Sequence, residues 1–349
     1  MATEIKVWQI AAGEPGRDYR ELFFDHDVMI MGPSGRGNAL QNSYAVGKPN
    51  NPNRQVHGFV RGPKPGDRVL MRLAHDVIGI GQIPSEEESQ YSFNETFRCV
   101  YGWQLCHCRR VIWVEGYELG SLASVFQIAK QKPTFTRVHE QRIVKMVRDI
   151  DNVYFERPLK EIPEIDASVF SDDALGVELF RAGISNKNVS DILIALQQAE
   201  RLLAWYPRSG RSPTENEIVS HIILPLFLGL GWSHQQSAVE WKKVDIAFFK
   251  KTPTNEENCV MVLEAKGLGS PLSDVLHQPK NYVQSLGLTN VKHILTTDGE
   301  NLFVYEKSGN EWISNPTGYF NVRLRQKQYV VPKNTSLVDT LVNLQPSAV

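Results

Sequence analysis

The spacing of apolar positions changes character near the middle of the chain. In the front part the apolar residues fall in short runs separated by Gly, Pro and Asn. "IKVWQIA", "VMIMG", "DRVLMRLA", "VIGIGQI" and "FRCVYGWQLCHCRRVIWV" predict strands, with one helix near "RDYRELFFDH". Between "NNPNRQ" and "RGPKPGDR" the turn residues are dense and predict exposed loops. The stretch from Glu115 to about Asp151 is expected to add helix. So many short strands in one domain fit a small β-barrel with helices.

The rear part reads differently. "NKNVSDILIALQQAERLLAWY" places Val189, Ile192, Leu193, Leu196, Ala199 and Leu203 at helical spacing. "SPTENEIVSHIILPLF" predicts a second helix, with Ser212 as N-cap, Pro213 at the first helical position and Glu215 completing a capping box. "LGLGW" stops it. Then come strands "KKVDIAFF" and "CVMVLEAK", a helical "LSDVLHQPKNYVQSL", strand "VKHILTT", the turn Asp298-Gly299 and strand "NLFVYE". That order predicts an α/β unit around a mixed sheet. The expected organisation is an α+β multidomain chain: a domain over 1–150, a connector over 151–185 and a second domain over 186–349.

Bulk properties narrow the picture only a little. The chain has 349 residues, 42% hydrophobic and 22% charged, an ordinary globular composition. No apolar run is long enough to span a bilayer, and "MATEIKVWQI" has no signal-peptide pattern, so no membrane partner is expected. Four cysteines give no disulfide framework, and a cytoplasmic location is the expectation. With a net charge of −1, any polyanion must meet a local basic patch.

Three charges stand where core residues are otherwise wanted. Asp245 interrupts "VDIAFF", and Glu264 and Lys266 end "VMVLEAK". Charged side chains are rarely buried unless paired, bound to metal or used chemically. Glu264 and Lys266 are two apart on a strand and so share a face. Asp245 reaches the same edge if the two strands pair. Phosphodiester hydrolysis needs hard oxygen ligands for Mg²⁺ and a nearby cation, which this set supplies. Glu217 on the preceding helix could add a carboxylate, and Gln278 and Tyr282 at i and i+4 share a helical face.

In order, the Glu217 helix, "LGW", Glu240, Asp245, "EAK", Gln278-x-x-x-Tyr282 and "TTDG" resemble the PD-(D/E)xK nuclease family. The resemblance is to the nuclease domain of type I restriction motor subunits, and it spans roughly residues 212 to 307. It implies a PD-(D/E)xK fold in which Asp245, Glu264 and Glu217 serve Mg²⁺ and Lys266 is the catalytic lysine. Gln278 and Tyr282 would position DNA or site groups.

"KVWQIAAGEPGRDY", "PGDRVLMRLAHDVIGIGQI" and "YGWQLCHCRRVIWV" are similar to the PUA-like superfamily, especially its EVE and YTH-like branch. That resemblance implies a pocket for a modified or flipped-out base, with Trp8 and Trp103 as walls and Tyr44 or Tyr101 beside them. Lys48, Arg54, Arg61, Lys64, Arg68 and Arg72, set against the lone acid Asp67, are candidate phosphate contacts. Cys99, Cys106, His107 and Cys108 match no zinc spacing and are expected to be buried strand residues. His57, His75 and His139 have no triad context. No Walker glycine loop is present, so no nucleoside triphosphate is expected.

The expected activity is a modification-dependent, Mg²⁺-using DNA endonuclease of restriction or phage-defence type, cutting double-stranded DNA as a homodimer. One alternative is a ligand- or partner-activated defence nuclease acting on unmodified DNA or RNA. Another is a non-catalytic nucleic-acid-binding module.

Overall fold

A computed structural model describes residues 4–14, 17–45, 48, 51–74, 76–85, 87–88, 90–115, 133–309, 311–332 and 335–349. The fold is mixed α+β and divides into two compact units, Met1–Glu164 and Ile165–Val349. Residues 151–164 of the expected connector thus belong to the first unit. There Phe155 joins the core with Val7, Leu70 and Ile80.

The first unit holds a five-stranded sheet in the order β10 (Phe135–Arg137), β1 (Val7–Ala11), β5 (Arg68–Leu73), β6 (Asp76–Gln82), β9 (Ile112–Glu115). A three-stranded sheet runs β4 (Val28–Met31), β8 (His107–Arg110), β7 (Ser92–Phe93), and β2 (Gly13–Glu14) pairs with β3 (Arg17–Asp18). The strands expected from the apolar runs are present, but among the described residues they form open sheets and not a closed barrel. β9 and β10 are the two edges of the large sheet, with no ladder joining them. The long run "FRCVYGWQLCHCRRVIWV" is not one strand. It contains a tight turn at Val100–Trp103 and then passes from β8 in one sheet to β9 in the other.

Helix α1 (Arg20–His26) lies where it is expected. Helix α2 (Pro52–Arg61) occupies part of the region expected as loop. Its Asn51-Pro52 start, which reads as a turn, is an N-cap accepting from Asn53 N followed by proline at the first helical position. Helix α3 (Gln141–Arg148) buries Ile143, Val144 and Val147 on the large sheet, each contributing roughly 1.5–3 kcal/mol. Within the expected helical stretch Phe135–Arg137 is instead the edge strand β10, and residues 116–132, like His75, lie outside the described residues.

The second unit opens with α4 (Asp172–Arg181), inside the span expected as connector. It approaches α5 (Asn186–Arg208) closely through Gly176, where a Cβ would sit 3.2 Å from the Leu193 side chain. Of the expected stripe of α5, Val189, Ile192, Leu196, Ala199 and Leu203 are buried and Leu193 is half-buried. Next comes α6 (Glu215–Ile218), which widens into a π-helical turn at Val219–Ile223 and continues as α7 (Leu224–Gly229).

The main sheet runs β11 (Ser237–Trp241), β12 (Val244–Phe249), β13 (Cys259–Ala265), β14 (His293–Thr297), β15 (Asn301–Ser308), β16 (Glu311–Trp312), with β17 (Gly318–Asn321) also on β15. Only β13 and β14 are parallel, so the sheet is mixed, as expected. Phe227 of α7 and Trp232 pack on Phe248, at ring-centroid distances of 4.6 and 5.0 Å. Helix α8 (His277–Ser285) meets β13. Pro279 falls in the first turn of α8, where a missing N–H costs no helical hydrogen bond. A small pair, β18 (Gln328–Tyr329) with β19 (Thr335–Ser336), and α9 (Leu337–Asn343) complete the unit. Among the described residues no helix is long and apolar enough to cross a membrane.

Candidate active site

The register of β12 and β13 builds the centre. Ile246 lies opposite Leu263, so the next pair toward the strand end brings Asp245 beside Glu264. Asp245 Oδ2 accepts from Ala265 N at 2.7 Å, which ties its carboxylate to the neighbouring strand. Lys266 Nζ donates to Glu264 Oε1 at 2.6 Å. Every residue of β13 is buried, Glu264 included, and Glu264 Oε2 has no hydrogen-bond partner. The strand continues as a loop pinned by Asp298, whose Oδ2 accepts from Gly269 N at 3.1 Å. The expected "TTDG" turn therefore fixes the segment just beyond the lysine.

Burial holds the carboxyls of both Asp245 and Glu264 above the usual carboxylate range, and the charge of Asp245 raises Glu264 further. Burial alone would lower the Lys266 ammonium, but its bond to Glu264 and the fields of the nearby acids outweigh that and raise it. Lys266 is therefore a cation, not a base, at neutral pH.

Glu217, the third acid the sequence suggests, is engaged at the helix start. Helix α6 starts two residues later than expected: Thr214 is the N-cap, and Glu217 closes the capping box. Glu217 Oε2 accepts from Thr214 N at 2.9 Å and Oε1 from Arg211 at 2.6 Å, so its carboxylate is committed to the helix start. Glu215 instead acts on the site, raising Asp245, Glu264 and Lys266 through its charge. Glu240 adds to the field at Asp245, held by Asn216 Nδ2 at 3.2 Å with its backbone at φ 52°. Thr296 lies opposite Glu264 on β14, and its buried hydroxyl also has no partner. Gln278 and Tyr282 share a half-buried face of α8, and neither is hydrogen-bonded to the triad.

Among the described residues no three His, Cys, Asp or Glu gather at metal-ligand spacing. The donors present still suit one hard divalent ion. Mg²⁺ keeps several waters and needs only one or two protein carboxylates, and the partnerless Glu264 oxygen beside Asp245 provides them. Asp245 and Glu264 would hold it, with Glu215 adding charge.

The first-unit candidates are dispersed. Trp8 stacks on Phe135 at 5.3 Å and donates its indole N–H to Asp67 at 2.9 Å, a core position. Tyr44 is buried edge-on to His107 at 4.9 Å. Trp103 and Tyr101 sit half-buried on the Val100–Trp103 turn, with Arg17 5.0 Å above the Trp103 ring. No ring contact joins Trp8, Trp103 and Tyr44 to one another. The basic run splits likewise. Lys48, Arg54, Arg61 and Lys64 are exposed, whereas Arg68 and Arg72 are buried in β5. Arg68 lies 4.0 Å over Phe155, and Arg72 donates to the Ala74 and Pro133 carbonyls. Those two guanidiniums fasten the surrounding structure and face no solvent. All four cysteines are free and buried, and burial pushes the Cys108 thiol up to about 12.

No protein-family model matches this chain, and no curated protein matches it.

Proposed function

We propose that this chain is a Mg²⁺-dependent DNA endonuclease, with the second unit hydrolysing the backbone and the first recognising a modified base. The observation that carries the reading is the half-buried Asp245 beside the buried Glu264, with Lys266 2.6 Å from Glu264 and a Glu264 oxygen left without a partner. Two acids drawn side by side out of water are costly, and desolvation holds both carboxyls high. A bound cation relieves that cost, which gives the pair a physical reason to exist.

In this reading Asp245 and Glu264 would hold the ion. When bound, Mg²⁺ neutralises charge that develops on the phosphate and makes water a better nucleophile. Lys266, kept protonated, orients the attacking water and stabilises the added negative charge of the transition state. Water forms the new P–O bond and releases a proton to solvent, the bond to the leaving deoxyribose oxygen breaks, and that oxygen takes up a proton from solvent. Of the four candidate aromatics, Trp103, with Arg17 over its ring, and Tyr101 are half-buried and able to stack on a displaced base.

The test is incubation with Mg²⁺ and matched DNAs: unmodified, 5-methylcytosine and 5-hydroxymethylcytosine. Cutting confined to one modified DNA supports both halves of the proposal. Equal cutting of all three removes the base-recognition half alone, and no cutting of any DNA removes the endonuclease reading.

A further inference from the structure

Helix α5 has a second face that the core does not use. Ile194, Gln198, Arg201, Trp205 and Arg208 recur at i, i+4, i+7, i+11 and i+14, and all five are exposed. Trp205 is 48% exposed, and Arg211, on the turn after the helix, places its guanidinium 5.7 Å from the Trp205 ring centroid. Arg201 and Arg208 form an ion pair with no described residue. The stripe itself carries no acid, and the adjacent Glu200 is engaged by Arg325 at 3.2 Å.

This surface connects to the acid site through one helix turn. Arg211 pairs with Glu217 at 2.6 Å, whereas Glu215 exerts its field on Asp245 and Glu264. Residues two apart on a helix point to opposite sides of a cylinder about 10–12 Å across. The Arg211 end of the stripe therefore lies across this helix turn from Glu215.

We infer that the outer face of α5 is a DNA-backbone track leading to the site. Arg201 and Arg208 take phosphate oxygens, and Trp205, backed by Arg211, packs against a base or sugar. The charge fits, because Arg201 and Arg208 are the second unit's arginines without an ion pair among the described residues. The residue types fit as well: arginine for phosphate forks and tryptophan for stacking. The inference rests on the endonuclease reading for its substrate but is tested by binding alone.

The experiment measures anisotropy of a labelled DNA against salt concentration in EDTA, so that no cutting intervenes. Wild type is compared with R201A/R208A, with W205A and with the charge-matched control K250A/K251A. Lys250 and Lys251 are exposed at the far end of β12 from Asp245. Losing both arginines is expected to reduce the log–log salt slope by about 2, about 1 per phosphate contact. W205A is expected to weaken binding about tenfold, and the lysine control to change neither quantity. Unchanged slope and affinity in R201A/R208A, or an equal loss in the lysine control, would overturn the track. So would a wild type that binds no DNA. If Mg²⁺-dependent cutting persists while the arginine variant binds as wild type, the endonuclease reading stands and only the track falls.

Discussion

Replacing Lys266 by alanine leaves Glu264 buried with neither oxygen partnered. In the wild type the ammonium is 2.6 Å from Oε1, with the two side chains 21% and 6% exposed. Breaking a buried pair by removing one partner costs about 3–5 kcal/mol. The partial exposure of Lys266 lets water reach the gap, so the expected loss is about 2–3 kcal/mol at pH 8. For a unit of this size that is a fall of about 4–12 °C in Tm. The pH dependence follows from the direction of the Glu264 shift. Burial already raises its carboxyl, and removing Lys266 removes an interaction that lowers it. The folded variant then binds that proton more tightly than the unfolded chain does, so its stability falls as pH rises through the raised value. Thermal melts of wild type and K266A at pH 5 and pH 8 should differ most at pH 8. The double variant K266A/E264Q, which removes both charges of the pair, should recover much of the loss. An equal deficit at both pH values, with no recovery in the double variant, would refute the buried-charge account.

Two further outcomes separate positions that look alike in the sequence. E215Q should weaken Mg²⁺ binding, measured by calorimetry, because Glu215 adds negative field at Asp245 and Glu264. E217A should leave metal binding unchanged and lower stability through the lost capping box. In the first unit, W8A should destabilise by about 3–5 kcal/mol in urea titrations, since a buried ring and its bond to Asp67 are lost. W103A should cost about 1 kcal/mol or less, so a selective loss of modified-DNA binding in that variant reports on the base site alone.

How far the sequence reached depended on whether local chemistry or tertiary pairing decided each feature. The site strands were legible because Asp245, Glu264 and Lys266 interrupt runs that otherwise read as core, and the observed register brings the acids side by side. The helix start was not, because Ser212-x-x-Glu215 and Thr214-x-x-Glu217 both fit the capping pattern. The choice between them decides which glutamate faces the strands, and the ion pair available from Arg211 favours the second. Counting charge along "RGPKPGDRVLMR" misplaced Arg68 and Arg72, whose burial follows from their strand and not from their loop neighbours. Barrel closure is a matter of which edges pair, and no local pattern encodes it. Helix α4 was hidden by Gly176, which weakens the apparent helical signal yet allows the close approach to α5.

The most direct test of the central claim is plasmid nicking and linearisation as a function of Mg²⁺, with wild type and D245N side by side. The amide side chain of D245N keeps an acceptor for the Ala265 N–H, so the strand pairing is preserved while one anionic ligand is lost. Cutting is expected to require Mg²⁺ in the wild type and to fall at least about a hundredfold (about 3 kcal/mol) in a folded D245N protein. Cutting by wild type that needs no divalent ion, or that D245N retains in full, would contradict it.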